Sequence, residues 1–178
     1  MNIHFTFHPE RCVGCGACVM ACINENELDI TKQLPFRLLK KNEYGDGDTL
    51  SITWFVHGCM HCREHPCMDA CPKSCFFVDR ETGTVQLDNS GCVGCRSCAR
   101  ACPYEAIRQN EKRASKCDGC LRRLRQGQLP LCVLACPRQA LTVDEKNQVV
   151  ADGLAGLRAE LAEYHQGAKR SSDIPKRA

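Results

Sequence analysis

The chain has 178 residues and a formal net charge of +3, and 17 of its residues are cysteine. Hydrophobic residues make up 43% of the sequence, but without the cysteines the fraction falls to roughly 33%, too little for a self-sufficient core. No apolar stretch is long enough to span a membrane, and the N-terminus has no basic region followed by an apolar run. We therefore expect no direct membrane insertion and a cytoplasmic protein, or one exported together with a signal-bearing partner.

The cysteines fall into four groups along the sequence. The first and third groups share the spacing x2-x2-x3 and similar sequences, CVGCGACVMAC and CVGCRSCARAC, whereas the second has x2-x4-x3 and the fourth x2-x11-x3. Such self-similarity indicates a duplicated unit. In chain order, the groups are Cys12, Cys15, Cys18 and Cys22; Cys59, Cys62, Cys67 and Cys71; Cys92, Cys95, Cys98 and Cys102; and Cys117, Cys120, Cys132 and Cys136.

The segments between the groups predict short strands and turns. Extended segments are expected at residues 36–39 and 50–56, around a turn at residues 44–48. Residues 76–78 and 84–87 predict a β-hairpin in which Gly83 supplies the positive φ. Further along, residues 152–165 carry leucines at helical spacing and residues 166–178 form a polar, basic tail.

The cysteine spacing favours metal ligation over disulfides. The number of cysteines is odd, and most of them stand two or three residues apart, too close for easy bridging. A Cys-x2-Cys pair alone is also typical of zinc sites, but a third cysteine in the same tight loop offers three sulfurs to three corners of a cube. The fourth cysteine, three residues later, points away and ligates a neighbouring cluster. We therefore predict four 4Fe–4S clusters rather than zinc.

Crossed ligation leaves two connectivities open. The outer groups pair with each other and the inner groups pair with each other, or the pairing is sequential, first with second and third with fourth. No expected ligand position carries Asp, Ser or Trp, so no 3Fe–4S centre is expected. Cys75 is left over; because it stands where Ala106 and Ala140 follow the other Cys-Pro pairs, we interpret it as a packing residue and not a ligand.

Three groups end in Cys-Pro, and proline suits the first turn of a helix, so each pair is expected to lead into a short helical turn. Sixteen thiolates and four cluster cores of about +2 each would bring the net charge to roughly −5, which argues against a nucleic-acid partner. The histidines at 57, 61 and 65 are interpreted as loop residues that tune potential or solvent access. We find no nucleophile–base constellation and no phosphate loop, so we predict no catalytic residues.

The order and spacing of the four groups resemble a known family, the four-cluster ferredoxin-like electron-transfer (beta) subunits of the dimethyl sulfoxide reductase type of complex iron–sulfur molybdoenzymes. The segment KCDGCLRRLRQGQLPLCVLACPRQAL is the most specific match, and the resemblance covers about residues 3–145. It implies the outer-with-outer and inner-with-inner connectivity and so four ligand sets, numbered here as quartets. Quartet 1 is Cys12, Cys15, Cys18 and Cys136; quartet 2 is Cys22, Cys117, Cys120 and Cys132; quartet 3 is Cys71, Cys92, Cys95 and Cys98; and quartet 4 is Cys59, Cys62, Cys67 and Cys102.

The resemblance also implies a fold and a domain organisation. We expect an α+β fold of two pseudo-symmetric, bacterial-ferredoxin-like dicluster modules, with hairpin insertions, short helices and a C-terminal helix and tail. The outer module would combine residues 1–58 and 103–150. The inner module would span residues 59–102, and residues 151–178 would form the C-terminal helix and basic tail.

The function implied is that of a non-catalytic subunit. It would relay single electrons between a large molybdenum or tungsten pterin catalytic subunit and a quinone-linked membrane subunit or another redox carrier. Quartet 1 would lie nearest the catalytic subunit, followed by quartet 2, then quartet 3, with quartet 4 at the far end. Alternatives are a carrier subunit of a hydrogenase or formate-linked complex, a free polyferredoxin, and a zinc-stabilised scaffold.

Overall fold

The computed structural model describes residues 3–45, 50–110 and 112–144, so the predicted C-terminal helix and tail lie outside the described residues. Within these ranges the chain forms short strands and short helices. The strands are β1 (His4–Phe7), β2 (Leu38–Tyr44), β3 (Ser51–His57), β4 (Phe76–Val78), β5 (Val85–Leu87), β6 (Arg108–Asn110), β7 (Arg113–Ser115) and β8 (Leu141–Asp144). The helices are α1 (Ala17–Glu25), α2 (Pro66–Asp69), α3 (Ser97–Ala101), α4 (Leu121–Arg125) and α5 (Leu131–Leu134), with a 3₁₀ turn at Pro9–Arg11. None of these helices is both long and apolar enough to cross a bilayer.

The strands pair as four two-stranded antiparallel sheets: β1 with β8, β2 with β3, β4 with β5, and β6 with β7. The β1–β8 pair joins the two ends of the described chain, with Phe5 opposite Val143 and Phe7 opposite Leu141. Because β1 leads into the first cysteine group and β8 follows the fourth, this pairing brings the two outer groups together. The extended segments expected before the second group are present as β2 and β3, and Gly83, in the turn after β4, has a φ of 70°.

Buried side chains form three hydrophobic clusters, and cysteines take part in each of them. The outer cluster is built on strand residues of β1, β3 and β8, where the alternation of β1 buries Phe5 and Phe7. The inner cluster contains Phe76, Val85 and Ile107. A small bridging cluster centres on Phe36. Because these apolar groups are few and small, sulfur atoms fill much of the interior, as the low hydrophobic fraction requires.

The inner cluster extends past the boundary predicted between the modules. Ile107 and Ala114 pack with Cys98 in this cluster, although residues 103–150 are assigned to the outer module by sequence. The division of the chain into modules stays a prediction.

Strand β4 offers a matched pair of substitutions. Phe76 is 5% exposed and packs in the inner cluster, whereas its neighbour Phe77 points to the other side of the strand and is 51% exposed. We expect Phe76→Ala to cost about 3–5 kcal/mol, as large-to-small core substitutions do, and Phe77→Ala to cost far less. The measurement is the urea concentration at which half of the visible absorption of the anaerobically purified protein is lost. Equal midpoints for the two variants would contradict the placement of this cluster.

Candidate metal centres

Three of the four predicted quartets line cavities of similar size. Quartet 1 lines a cavity with an empty volume of about 340 Å³, quartet 3 lines one of about 340 Å³, and quartet 4 lines one of about 360 Å³. In each case all four sulfur-bearing residues contribute to the lining. Four cysteines around one cavity match in number the four sulfur ligands of a 4Fe–4S cluster. In the described ranges, no three His, Cys, Asp or Glu side chains are grouped as ligands of a single metal ion.

Quartet 2 is the most deeply buried set. Burial, reinforced by neighbouring thiolates that include Cys132, raises the pKa of Cys22 to about 12 and that of Cys120 to about 11. Cys117 is buried, and burial followed by the thiolate of Cys59 raises its pKa well above the usual value. These three thiols resist ionisation on their own, so a bound cation is required to hold them as thiolates.

The structure places the last cysteine of each group as the outer and inner pairing requires. Cys136 lies with the first group in quartet 1, and Cys71 lies with the third group in quartet 3. Sequential pairing would instead require Cys71 to lie beside the first group. That these sulfurs ligate clusters is a proposal, taken up below.

The spatial order of the quartets differs from the order that the resemblance implied. The outer cluster joins quartet 1 to Cys132 of quartet 2, and the bridging cluster joins Cys22 and Cys117 of quartet 2 to Cys59 of quartet 4. The inner cluster then joins quartet 4 to quartet 3, with α2 packed on α3. The order is therefore 1–2–4–3, and the expectation that quartet 4 lies at the far end is wrong. Group spacing decides which sulfurs share a loop, whereas this order depends on how the loops pack.

Each Cys-Pro pair makes one turn that returns a backbone N–H to the cysteine sulfur. The N–H of Cys75 donates to Cys71 Sγ at 3.4 Å, that of Ala106 to Cys102 Sγ at 3.4 Å, and that of Ala140 to Cys136 Sγ at 3.2 Å. The residue before each donor has a positive φ of 48–50° and stops the backbone from continuing as a helix; these residues are Ser74, Glu105 and Gln139. The short turn predicted after each Cys-Pro is therefore present as a single turn, closed by the N–H groups of Ser74, Glu105 and Gln139, and it does not continue as a helix. This turn places an N–H donor at the cysteine sulfur.

Loop glycines allow the cysteine-bearing loops to approach their neighbours closely. Gly14 and Gly94 hold the same position in the first and third groups, and each has a φ of 69°. A Cβ at Gly14 would collide with the indole ring of Trp54, and one at Gly94 with the carbonyl oxygen of Lys112. The residue just before each of the helices α1 to α4 is also left-handed; these residues are Gly16, His65, Arg96 and Cys120.

Both ends of the row of quartets reach the surface. Cys15 in quartet 1 and Cys95 in quartet 3 are exposed, and each follows an exposed valine by two residues, Val13 and Val93. Hydrogen bonds from Ser97 hold the pKa of Cys95 below its usual value. Quartet 2, in the middle of the row, is closed because its four cysteines are buried, whereas the four cysteines of quartet 4 are half-buried. The exposed cysteines therefore lie in the quartets at the two ends of the row.

Sequence reasoning missed two buried cations beside the sulfurs. Arg37 donates from Nη2 to Cys132 Sγ at 3.6 Å. Lys116 donates to the carbonyl oxygens of Val85 and Cys117 and lines the cavity of quartet 4. A basic residue inside the apolar segment Phe36 to Leu39 is a sequence signal that could have identified Arg37. No sequence signal points to Lys116.

The histidines near the second group differ from one another. His61 is fully buried, its Nδ1 accepts the N–H of Val85 at 3.0 Å, and burial followed by nearby Lys116 lowers its pKa well below the usual value. It is therefore neutral, with its proton on Nε2. His57 Nδ1 lies 3.4 Å from the carbonyl oxygen of Tyr104, and burial lowers its pKa too. His65 has a φ of 47° and lines the cavity of quartet 4.

Cys75 is buried in the wall of the quartet 3 cavity. Its thiol donates to the carbonyl oxygen of Lys73 at 3.7 Å, and its backbone N–H supports Cys71. Burial, followed by its hydrogen bond with Cys71, raises its pKa to about 11. A neutral thiol held in this way is compatible with packing as a small apolar residue, and the packing role of Cys75 stays a prediction.

Quartets of cysteine thiols, presented by short helices and hairpins, are typical of iron–sulfur proteins of the ferredoxin type. Residues 50–146 match the family model described as a 4Fe-4S dicluster domain, and residues 5–25 match a 4Fe-4S binding domain. This protein belongs to the 4Fe-4S dicluster domain family. The predicted cofactor type, the 4Fe–4S cluster, is thereby confirmed.

Three named proteins are similar to this chain in sequence. The sequence is 35% identical over 139 residues to the B component of anaerobic dimethyl sulfoxide reductase from Escherichia coli, covering 72% of this protein and 66% of that one. It is 39% identical over 130 residues to the B component of tetrathionate reductase from Salmonella typhimurium, covering 69% and 50%. It is 36% identical over 132 residues to protein NrfC of Escherichia coli, covering 71% and 58%. The matches thus span between half and about two thirds of these relatives, and the predicted resemblance to the dimethyl sulfoxide reductase type is confirmed.

Cys75 and Cys71 provide a test of the ligand assignment. We expect Cys75→Ala to keep the full iron content because its thiol only packs. We expect Cys71→Ala to lose about four irons per molecule, since a cluster ligand is missing. The measurement is iron and acid-labile sulfide per molecule after anaerobic purification. Loss of one cluster's iron in Cys75→Ala would overturn the assignment.

Proposed function

We propose that each quartet binds one 4Fe–4S cluster and that the protein relays single electrons along the row 1–2–4–3. The observation that carries this proposal is the row itself, which is buried at quartet 2 and exposed at Cys15 and Cys95 in its two end quartets. When bound, a 4Fe–4S cluster accepts and releases one electron at a time over a potential range that its surroundings set. We propose no catalytic residue on this chain, since every quartet is complete and leaves no open coordination position.

The protein's own residues fix the spacing, insulation and charge of the sites. The cysteines hold each site in place, and the Cys-Pro turns supply N–H donors that stabilise thiolate charge. The hydrophobic clusters fill the space between consecutive quartets and exclude water from it. Because electron tunnelling falls steeply with distance, a row of closely packed sites replaces one long transfer by several short ones.

We propose that the quartet 1 end faces a large molybdenum or tungsten pterin catalytic subunit. The support is the similarity to the B components of anaerobic dimethyl sulfoxide reductase and of tetrathionate reductase, whose names make them parts of larger reductases. The quartet 3 end would then face the second partner, a quinone-linked membrane subunit or another redox carrier. Exposed Val93 and Phe77 mark this end of the surface.

We also propose that the chain folds as two dicluster modules. Quartets 1 and 2 share the outer cluster, and quartets 3 and 4 share the inner cluster, which includes residues up to Ala114. The bridging cluster around Phe36 then forms the junction between the modules.

The test is made on the complex purified anaerobically through a tag on this chain. We expect a large co-purifying subunit that contains molybdenum or tungsten. In the variant Cys62→Ser, which breaks quartet 4 in the middle of the row, electrons supplied at the quartet 3 end should reach quartets 1 and 2 slower by roughly tenfold or more. Rapid-freeze electron paramagnetic resonance (EPR) measures this, with Cys75→Ala as the matched control at wild-type rate.

Two results would contradict the proposal. A stable monomer with no large partner would favour a free polyferredoxin. Transfer at the wild-type rate in Cys62→Ser would show that electrons do not pass along the row.

A further inference from the structure

Arg37 is a buried cation between two sulfur quartets. Its side chain is 2% exposed, and it precedes β2 at the junction between the outer and bridging clusters. Gly58 makes room for it, since a Cβ there would lie 2.5 Å from Arg37 Nη1. A guanidinium stays charged at any physiological pH, so this is a full positive charge removed from water.

The partners of Arg37 are a sulfur and an aromatic ring. Nη2 donates to Cys132 Sγ at 3.6 Å, and the guanidinium carbon lies 5.0 Å from the centroid of the Phe5 ring. In the part of the chain whose side chains the structure describes, no carboxylate forms an ion pair with Arg37. Its charge acts on quartet 2 through Cys22, Cys117 and Cys132, and on quartet 1 through Cys18.

A buried charge without a counter-ion is strongly destabilising, so Arg37 needs negative charge nearby. Four thiolates around a core of about +2 supply roughly −2 in the oxidised state and roughly −3 after one electron is added. The attraction of Arg37 is therefore stronger for the reduced state. Because Arg37 and the four cysteines of quartet 2 are buried, this difference is weakened little by solvent.

We propose that Arg37 sets the reduction potential of the site at quartet 2, and to a lesser degree at quartet 1, by stabilising the reduced state. The proposal rests on the proposed function, since it requires clusters at these quartets. The step is a one-electron reduction: one electron enters from the neighbouring site or a chemical reductant, the site gains one negative charge, and no proton moves. Arg37 acts as a positioned charge and neither binds nor loses the electron.

Lys116 is a second buried cation among the described residues. It lines the cavity of quartet 4, so its charge is expected to act mainly there. It acts on Cys67 of quartet 4 and on Cys117 of quartet 2. Quartet 3 lies beyond both cations, and no described contact links Arg37 to it. The effect of Arg37 should therefore be graded along the row, greatest at quartet 2, smaller at quartet 1 and absent at quartet 3.

The experiment is a potentiometric titration of the anaerobically purified protein with dithionite and mediators, followed by EPR. The signals are assigned beforehand with one ligand variant for each of three quartets, namely Cys15→Ser for quartet 1, Cys120→Ser for quartet 2 and Cys95→Ser for quartet 3. In Arg37→Gln we expect the equilibrium constant for one-electron reduction at quartet 2 to fall by tenfold or more, which is about 59 mV. Arg37→Lys should recover most of the loss. Arg80→Gln, at an exposed arginine in the turn after β4, is the matched control and should shift nothing.

Gly58→Ala is the second variant, in case Arg37→Gln does not assemble. It keeps every charge but displaces the guanidinium, because the new Cβ would lie 2.5 Å from Nη1 and clash with it. We expect the equilibrium constant for one-electron reduction at quartet 2 to fall less than in Arg37→Gln. This fall should still exceed any change in the same constant at quartet 4.

The outcomes separate this inference from the proposed function. Unchanged potentials in Arg37→Gln or Gly58→Ala, or equal shifts at quartets 1, 2 and 3, would overturn the role of Arg37 while leaving the relay intact. Wild-type protein that binds no iron at quartets 1 and 2 would overturn the proposed function itself.

Discussion

The fold brings cysteine sulfurs together in quartets, and the proposed clusters require the sulfurs of each quartet to be held as thiolates. Thiolates repel one another and lose hydration when buried, as the raised pKa values of Cys18 and Cys62, about 11 and about 12, show. The fold meets this cost with positive charge and N–H donors: a bound iron core, the turns after each Cys-Pro, and two buried cations. Strands and helices are short because their task is to present loops, and residues with positive φ shape those loops at the sulfurs.

The same constraint explains the shape of the core. A protein with few aliphatic residues cannot build one large hydrophobic centre, so it builds three small ones, each lying between consecutive quartets. In the proposed relay, the residues that pack between the quartets are also the residues that set the spacing for electron transfer. Phe5 belongs to the outer cluster, and the face of its ring also makes a cation–π contact with Arg37. A change that loosens these clusters should alter both the stability and the spacing of the row.

Sequence reasoning predicted the cofactor type and the extended segments, because sulfur spacing and strand alternation are local properties. The four ligand sets stay a prediction. Sequence reasoning failed where the answer depends on packing or on a conformation without a residue signature. The order of quartets 3 and 4 follows from the contact of Cys59 with Cys117, which are 58 positions apart. The turns after Cys-Pro stop at Ser74, Glu105 and Gln139, whose side chains give no sign of a positive φ. Arg37 stands within an apolar segment of the sequence, but only the folded structure shows that its side chain is buried.

The central claim is that iron–sulfur clusters are both the framework and the conductor of this molecule. The most direct measurement is small-angle X-ray scattering of the anaerobically prepared protein before and after chelation, with iron counted in the same samples. We predict about sixteen irons per molecule and a compact particle, near the roughly 16 Å radius of gyration expected for a folded protein of this length, that expands towards roughly 45 Å as iron is removed. A particle that stays compact with far fewer irons would contradict the account.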